Sequence, residues 1–414
     1  MSTSLEASIV TQSIQTAQYD VVVVGAGPYG LSVAAHLLGK GLNVAIFGKP
    51  MELWRDLIPK GMLLRSYWWA TDLSDPQKQY GLERFLNHEK GLPSFDPVPG
   101  DMLAEYGLWF QKHVVPNVDE TYIQTIEQTD GHFEVTLVDG RVLTAASVVM
   151  AVGLQSFVYR APEYDHLPKE LVLHTAELHT FDHLAGKKVV TIGGGQSALE
   201  STALAYESGV DIELVSRSAL VWIRDPAGFP TYRPLWQRIR SPKAGIAAGW
   251  FNKIEETFPF SFQRLPRSTK DRFLSGIAAH GPMGSAWLRP RLVSKVPLHE
   301  EVSVREVKEA NGGLLLGLSN NQSIQADYIM LATGYHLEVQ RLSMLGNSIL
   351  PRVDHHHGSP NLSSHFESSV PGLYFIGYAS YKCCGPYYRF ITGAGAAARR
   401  VAGAVARHTQ VGSK

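Results

Sequence analysis

Cysteine is almost missing from this chain of 414 residues: there are two, Cys383 and Cys384, and they are adjacent. No disulfide framework or metal site can be built from them. No Cys-x-x-Cys pair exists to relay electrons to a dithiol partner, as a thioredoxin-reductase-type enzyme requires. A vicinal pair can close a strained redox disulfide, but two small thiols in a loop is the plainer reading. Excess charge is missing too. Lys+Arg and Asp+Glu both number 38, so nothing global attracts nucleic acid or an anionic membrane. No apolar run approaches the roughly 20 residues that span a bilayer. The stretch Met1 to Tyr19 has neither a basic n-region nor an apolar h-region, so it reads as a frayed tail, not a signal peptide, and the chain as cytoplasmic. His355-His356-His357 has no acidic or cysteine companion at ligand spacing, and consecutive histidines do not readily converge on one ion. A loop and no metal are expected there.

What is present is two glycine-rich turns, each between apolar β-formers and a helix-forming stretch. The first is Val21 to Val24, then Gly25-Ala26-Gly27-Pro28-Tyr29-Gly30, then a helical pattern from Leu31 to Leu38. The second is Val189 to Ile192, then Gly193-Gly194-Gly195-Gln196-Ser197-Ala198, then Leu199 to Tyr206. Both fit the dinucleotide fingerprint. Its first glycine allows a tight turn, its second lets backbone approach a pyrophosphate, and its third position must be small so that helix packs on strand. The helix N-terminus then faces the phosphates. One match is weak; two, well apart and in strand–turn–helix context, imply two dinucleotides and a redox enzyme.

The coarse organisation is α/β. Residues 20–47 read as strand, turn, helix and strand, and a helix is expected from Asp101 to His113. Alternating apolar positions from Tyr122 to Ala151, with an Asp139-Gly140 turn, make an antiparallel meander that returns to a buried strand. The second unit starts near His174, with a strand from Asp211 to Ser216 after its fingerprint. Residues 221–295, rich in Trp, Phe, Arg and Pro, read as a mostly helical insertion. A second meander (Val302 to Ile329, turning at Asn311-Gly312-Gly313) precedes Ala332-Thr333-Gly334-Tyr335. A strand from Gly372 to Gly377 and an alanine-rich helix from Gly393 to Arg407 close the chain.

Together these residues resemble the FAD- and NADPH-dependent monooxygenases of the flavin-containing and amine N-hydroxylating groups, over most of the chain from about Asp20 to Arg400. The resemblance rests on the paired fingerprints, on the late motif Ala332 to Tyr335, and on a segment from Met62 through Asp72-Leu73-Ser74-Asp75-Pro76 to Phe85-Leu86. Pro99 to Trp109 and, more loosely, His174-Thr175 add to it. It implies two Rossmann-like domains. An FAD-binding domain would comprise 1–160 and 326–414, with an NADPH-binding domain at 161–325 inserted into it and carrying the helical insertion. The implied cofactor contacts are Gly25, Gly27, Pro28, Tyr29, Gly30, Lys49, Trp54, Thr333, Gly334 and Gly377 for FAD. For the nicotinamide cofactor they are Gly193, Gly195, Gln196, Ser197 and Ala198.

Departures sharpen the reading. No acid follows Phe47, where the FAD ribose partner normally sits, which leaves Lys49, Glu52 or backbone for that role. Gly377-Tyr378 stands where disulfide reductases carry Gly-Asp. The lysine of N-hydroxylases is replaced by aromatics within Tyr67-Trp68-Trp69, which argues against lysine or ornithine as substrate. The strand after the second fingerprint ends Val215-Ser216-Arg217-Ser218; a guanidinium and hydroxyl without a carboxylate point to NADPH rather than NADH. Arg65 would stabilise reduced flavin or serve as an ordinary ion-pair partner. Trp54, Trp68 and Trp69 would stack on flavin or a planar substrate, or fill core.

The expected reaction is insertion of one oxygen atom from O2 into a small molecule, by amine N-hydroxylation or oxidation of an aromatic heterocycle, through a C4a-peroxyflavin. The alternative is an FAD-dependent NAD(P)H reductase that feeds a protein such as ferredoxin; a non-catalytic nucleotide sensor is the third class. Substrate and O2 are the expected partners, a second copy of the chain is admitted, and nucleic acid and membrane are not.

Overall fold

The computed structural model describes residues 17–223, 234–279, 283–310 and 312–412. The stretch expected to fray, Met1 to Tyr19, lies outside the described residues up to residue 16, but Ala17 to Tyr19 pair with Leu143 to Ala145 as part of the first strand. Part of the insertion and Asn311 of the second meander's turn also lie outside the described residues.

β1 (Ala17–Val24) runs into α1 (Pro28–Leu38) and β2 (Val44–Phe47). The helix α2 spans Gly100–Val114, one residue beyond the expected span at each end. β3 (Val118–Asp119) then joins the edge, and β4 (Ile123–Thr129), β5 (His132–Leu137) and β6 (Val142–Met150) form the meander. The sheet order is β3-β2-β1-β6-β5-β4, and the strand Leu373–Phe375 adds in parallel to β6. Val21 and Val23 face one apolar core while Val22 and Val24 face the other. A valine run buried on both sides is what a central parallel strand requires. Each such side chain contributes roughly 1.5–3 kcal/mol relative to exposure. α1, α2 and the closing helix Ala394–Gly412 cover the first face.

The second sheet is all parallel, in the order Leu298–Glu300, β9 (Asp211–Ser216), β8 (Lys188–Ile192), Tyr328–Leu331, β7 (Val172–His174). Between β8 and β9 runs α3 (Gln196–Glu207). The strand Tyr328–Leu331 therefore belongs to the second sheet, beyond the boundary expected at 326, because its register with β8 runs from Tyr328–Val189 to Leu331–Ile192. The region 221–295 carries helices Leu235–Arg240, Trp250–Thr257 and Arg267–Ala279, closed off by a parallel pair Val221–Ile223 and Met283–Ser285. The second meander is a separate three-stranded sheet over Val304–Ala326.

Several local expectations shift. Cys383 and Cys384 lie on a one-turn helix, Tyr381–Cys384, not in a loop, and both thiols are free. The closing helix starts at Ala394, one residue later than expected, and runs to Gly412. His355–His356 form a two-residue strand against Ser359–Pro360. The fold also supplies the acid that the local sequence lacks. Asp271, 85 residues upstream of His356, meets its Nε2 at 3.1 Å, and ligand atoms of Asp271, His356 and His357 lie within 4.8 Å of one another.

Candidate active site

The two glycine turns have the same backbone. Gly25 donates to the Phe47 carbonyl at 2.8 Å, and Gly193 to that of Val215 at 3.0 Å. Ala151 donates to the Val24 carbonyl at 2.8 Å, and Ala332 to that of Ile192 at 2.9 Å. Both first glycines sit at positive φ (104° and 141°), and a Cβ there would lie 2.5 Å from the Ala151 oxygen or 2.6 Å from the Ala332 oxygen. Each turn is thus wedged against the end of a neighbouring parallel strand, and only glycine fits. The helices begin at Gly27 and Gly195, whose φ is −81° in both, with no side chain capping either N-terminus and no acid in either first turn. A Cβ on Gly27 or Gly195 would meet nothing within 4 Å. Uncapped amides facing open space form a ready cradle for a diphosphate, so the residues fit both dinucleotides.

Around the first turn lies a cleft of about 280 Å³, walled by Gly25, Gly27, Pro28, Tyr29, Lys49, Glu52, Trp54, Tyr122 and Gly377. Most of the expected FAD contacts therefore share one cavity; Gly30 is buried behind it, and Thr333, Gly334, Arg65 and Trp68 lie outside its lining. Tyr29 is fixed by sharing its one hydroxyl proton between the Tyr388 and Phe390 carbonyls, at 2.9 and 2.8 Å. At the far end, where the usual acid is absent, Glu52 lies 3.7 Å from Lys49 Nζ and accepts a short hydrogen bond from the Tyr122 hydroxyl. A carboxylate and an ammonium are both present there, five and two residues beyond Phe47. Tyr122, on the loop before β4, had no local sequence signal.

The side chains of the second turn are committed to the protein. Gln196 accepts from the Ser285 amide at 2.8 Å and donates to Glu200 Oε2 at 2.8 Å, and the other Glu200 oxygen accepts from the Leu63 amide at 2.9 Å. Ser197 donates to Thr175 Oγ1 at 3.0 Å. Ser216 is buried and donates to the Ser218 carbonyl at 2.7 Å, so its hydroxyl is occupied within the loop; Arg217 beside it is exposed.

Two linkers join the sheets, and Thr333-Gly334 lies in one of them. Tyr159 donates its amide to the Gly334 carbonyl at 2.9 Å and receives a short hydrogen bond from the Thr333 hydroxyl. The Tyr159 ring stacks on His336 at 3.6 Å. His174, at the end of β7, is buried. Its Nδ1 accepts the Ala176 amide at 3.1 Å, which puts the proton on Nε2. That Nε2 is buried with no hydrogen-bond partner among the described residues, and burial lowers the ring's pKa to about 4.

The aromatic segment is a separate feature. Trp69 stacks on Tyr67 at 4.1 Å and meets Trp68 edge-on at 5.8 Å. Lys243 from the insertion places its ammonium 4.1 Å from the Tyr67 ring and 4.3 Å from the Trp69 ring. Trp68 donates its amide to Asp96 at 2.7 Å and is half-buried against the first core. The insertion is thus folded onto these rings, a contact that local sequence did not signal.

A family model described as pyridine nucleotide-disulphide oxidoreductase matches residues 19–226, which include both turns and the first linker. The chain belongs to that oxidoreductase family. Both of its cysteines lie outside the part of the chain that carries the family's match. Among curated proteins it is similar to an FAD-dependent urate hydroxylase of Xanthomonas campestris (24% identical over 76% of this chain and 65% of that one). It is also similar to an indole-3-pyruvate monooxygenase of Oryza sativa subsp. japonica (27% identical over 77% of each). It spans 65% of the urate hydroxylase, and about half of the ferredoxin–NADP reductase of Streptococcus thermophilus that it also matches. Among solved structures, an ornithine hydroxylase from Pseudomonas aeruginosa superposes over 94% of this chain and 99% of that one, with a TM-score of 0.73 at 17% identity, a likeness of fold. Among the described residues no helix is long and apolar enough to cross a membrane.

Proposed function

We propose that the protein is an FAD-dependent, NADPH-consuming monooxygenase of the cytoplasm that transfers one atom of O2 to a small-molecule substrate, by amine N-hydroxylation or oxidation of an aromatic heterocycle. FAD belongs on the first sheet and NADPH on the second. The observation that carries the reading is the pair of matched glycine turns on two sheets, one opening onto a cleft, in a chain with no Cys-x-x-Cys pair. The urate hydroxylase and indole-3-pyruvate monooxygenase relatives favour oxygen transfer to a nitrogenous or aromatic substrate.

A bound FAD would supply the hydride acceptor for NADPH and, once reduced, the group that reacts with oxygen. The chain's own residues bind and orient. The amides opening α1 hold the diphosphate of the first cofactor, and Glu52, with Lys49 and Tyr122 fixing it, receives the ribose hydroxyls. Tyr29, locked by two carbonyls, walls the cleft. Arg217, exposed at the end of β9, meets the 2′-phosphate of the second cofactor. The buried His174, neutral at pH 7, offers its Nε2 proton at the junction of the linkers.

The runner-up is a reductase for an iron–sulfur partner, favoured by the match to ferredoxin–NADP reductases over 190 residues. Mixing the reduced, NADP-bound protein rapidly with oxygen separates the two. A long-lived transient spectrum distinct from oxidised and reduced flavin supports the oxygenase. Direct reoxidation with hydrogen peroxide release, together with fast reduction of ferredoxin, overturns it.

A further inference from the structure

A cluster of four cations lies away from both glycine turns. A cavity of about 440 Å³ opens between helix Arg267–Ala279, the histidine strand and the Tyr381–Cys384 turn. It shares no lining residue with the cleft of the first turn. Four permanent cations face it: Arg267, Lys270, Lys382 and Arg389. Each is held by a neutral group. Arg267 donates to the Asn361 amide oxygen at 2.8 Å, Lys270 to the Gln263 carbonyl at 2.8 Å, and Lys382 to the His357 carbonyl at 2.9 Å. The Arg389 guanidinium sits 5.2 Å from the Tyr381 ring centroid. Among the described residues none of the four has a carboxylate within 4.0 Å. Asp271, the single lining carboxylate, is taken by His356; Glu338 acts on Lys382 from beyond the cavity wall.

Four cations around one cavity, with Asp271 and the Cys383 thiol as the acidic groups in its lining, repel one another, and each gains when an anion arrives. The volume suits a small metabolite. Two guanidinium forks and two ammonium groups match two separate anionic groups, which a single chloride or carboxylate does not span. We propose that this cavity binds a small organic polyanion, a molecule with two or more carboxylate or phosphate groups, at a site separate from both dinucleotides. The proposal stands whether or not the protein is an oxygenase.

The rival occupant is a divalent cation on Asp271, His356 and His357. Those three atoms are close enough to share one, but the four surrounding cations oppose it. Cys383, which lines the same cavity, provides a built-in reporter. A hydrogen bond from Cys384, the Leu362 amide, and the nearby Lys270 and Arg267 hold its thiol down to about 6.

The test uses the flavin-loaded protein at low salt, with citrate and pyrophosphate as probes for the carboxylate and phosphate sources. Calorimetric titration is expected to show at least one of them binding with a 1:1 stoichiometry, weakened at least tenfold in Lys270→Gln and in Arg389→Gln while flavin content stays the same. Iodoacetate, an anion, is expected to alkylate Cys383 faster than neutral iodoacetamide does, the reverse of an ordinary thiol. The bound probe should slow that labelling, and Cys383→Ser abolishes it. Binding of one probe alone assigns the ligand's acid group. The proposal is overturned if neither probe binds and iodoacetate shows no advantage. It is equally overturned if the purified protein retains one zinc per chain that His357→Ala removes.

Discussion

The two glycine turns share a backbone and differ in their third position and in what their side chains do. At the third position of the fingerprint, a Cβ on Gly30 would lie 1.8 Å from the Gly25 carbonyl oxygen, while the second turn holds a buried alanine, Ala198, at the same place. The first turn is therefore the tighter of the two. Its side chains turn toward a cleft, and Tyr29 reaches across to the closing segment of the chain. The second turn spends its polar side chains on holding parts of the protein together: Gln196 grips the insertion at Ser285, and Glu200 grips the Met62–Leu64 segment of the first domain. The comparison teaches that one backbone cradle can be set in two different surroundings. The first borders a cleft; the second is braced from behind by its own polar side chains.

Glycine 30 gives the largest test of that difference. Gly30→Ala drives a methyl into backbone that cannot give way, and the damage exceeds the 1–3 kcal/mol of ordinary overpacking. The expected protein is colourless or insoluble, checked by flavin absorbance after purification. The reciprocal change, Ala198→Gly, costs only about 1 kcal/mol of helix propensity and keeps its flavin. If Gly30→Ala binds flavin normally, the asymmetry between the turns fails.

A second test is their shared weakness to acid. His36 on α1 and His174 beside the second turn are both held down to about 4 by burial, with Arg399 adding to the first and Arg160 to the second. In the unfolded chain each titrates near 6.5. Between pH 6.5 and 4 the unfolded state therefore binds more protons, and stability falls as pH falls. The loss is up to about 3 kcal/mol per histidine, at 1.36 kcal/mol per unit. Asp72 and Glu255, raised by burial to about 6 and about 7, act in the opposite sense, because there the folded state binds more protons. His36→Gln and His174→Gln are each expected to flatten the decline in melting temperature between pH 6.5 and 4.5. Equal slopes in wild type and both variants would show that neither ring is held neutral.

How much of this was legible in the sequence follows from the range of each interaction. The glycine turns, their flanking strands and the α1 and α3 helices are set by residues within about ten positions, and local pattern reads them. Contacts made across long separations were not readable. Asp271 joins His356 only because a helix of the insertion lies against the histidine strand. Lys243 reaches the Tyr67 and Trp69 rings by the same folding-back, and Tyr122 meets Glu52 across the sheet edge. The strand Tyr328–Leu331 looks like the start of the returning first domain, because the Ala332-Thr333-Gly334-Tyr335 motif follows it directly. Its hydrogen bonds place it in the second sheet, since the chain crosses only after the strand ends. The role of Gln196 was masked by its position. Inside a fingerprint it reads as a cofactor contact, yet both ends of its amide are already bonded.

The smallest effects probe the open side of the second turn. Arg217 is exposed at the end of β9, with no acid in the Ser216–Ser218 loop to discriminate against a 2′-phosphate. Arg217→Ala removes one charge-assisted contact, worth about 1.5–3 kcal/mol to a bound phosphate, so KM for NADPH should rise about tenfold or more. NADH lacks that phosphate, and its KM should stay within about twofold. Gln196→Ala tests the bracing instead. It leaves the Ser285 amide unpaired and should lower stability by about 1–3 kcal/mol, with the KM for the two nucleotides shifting together. A selective loss of NADPH in Gln196→Ala, with none in Arg217→Ala, would reverse the two assignments and make Gln196 the contact that the fingerprint alone suggests.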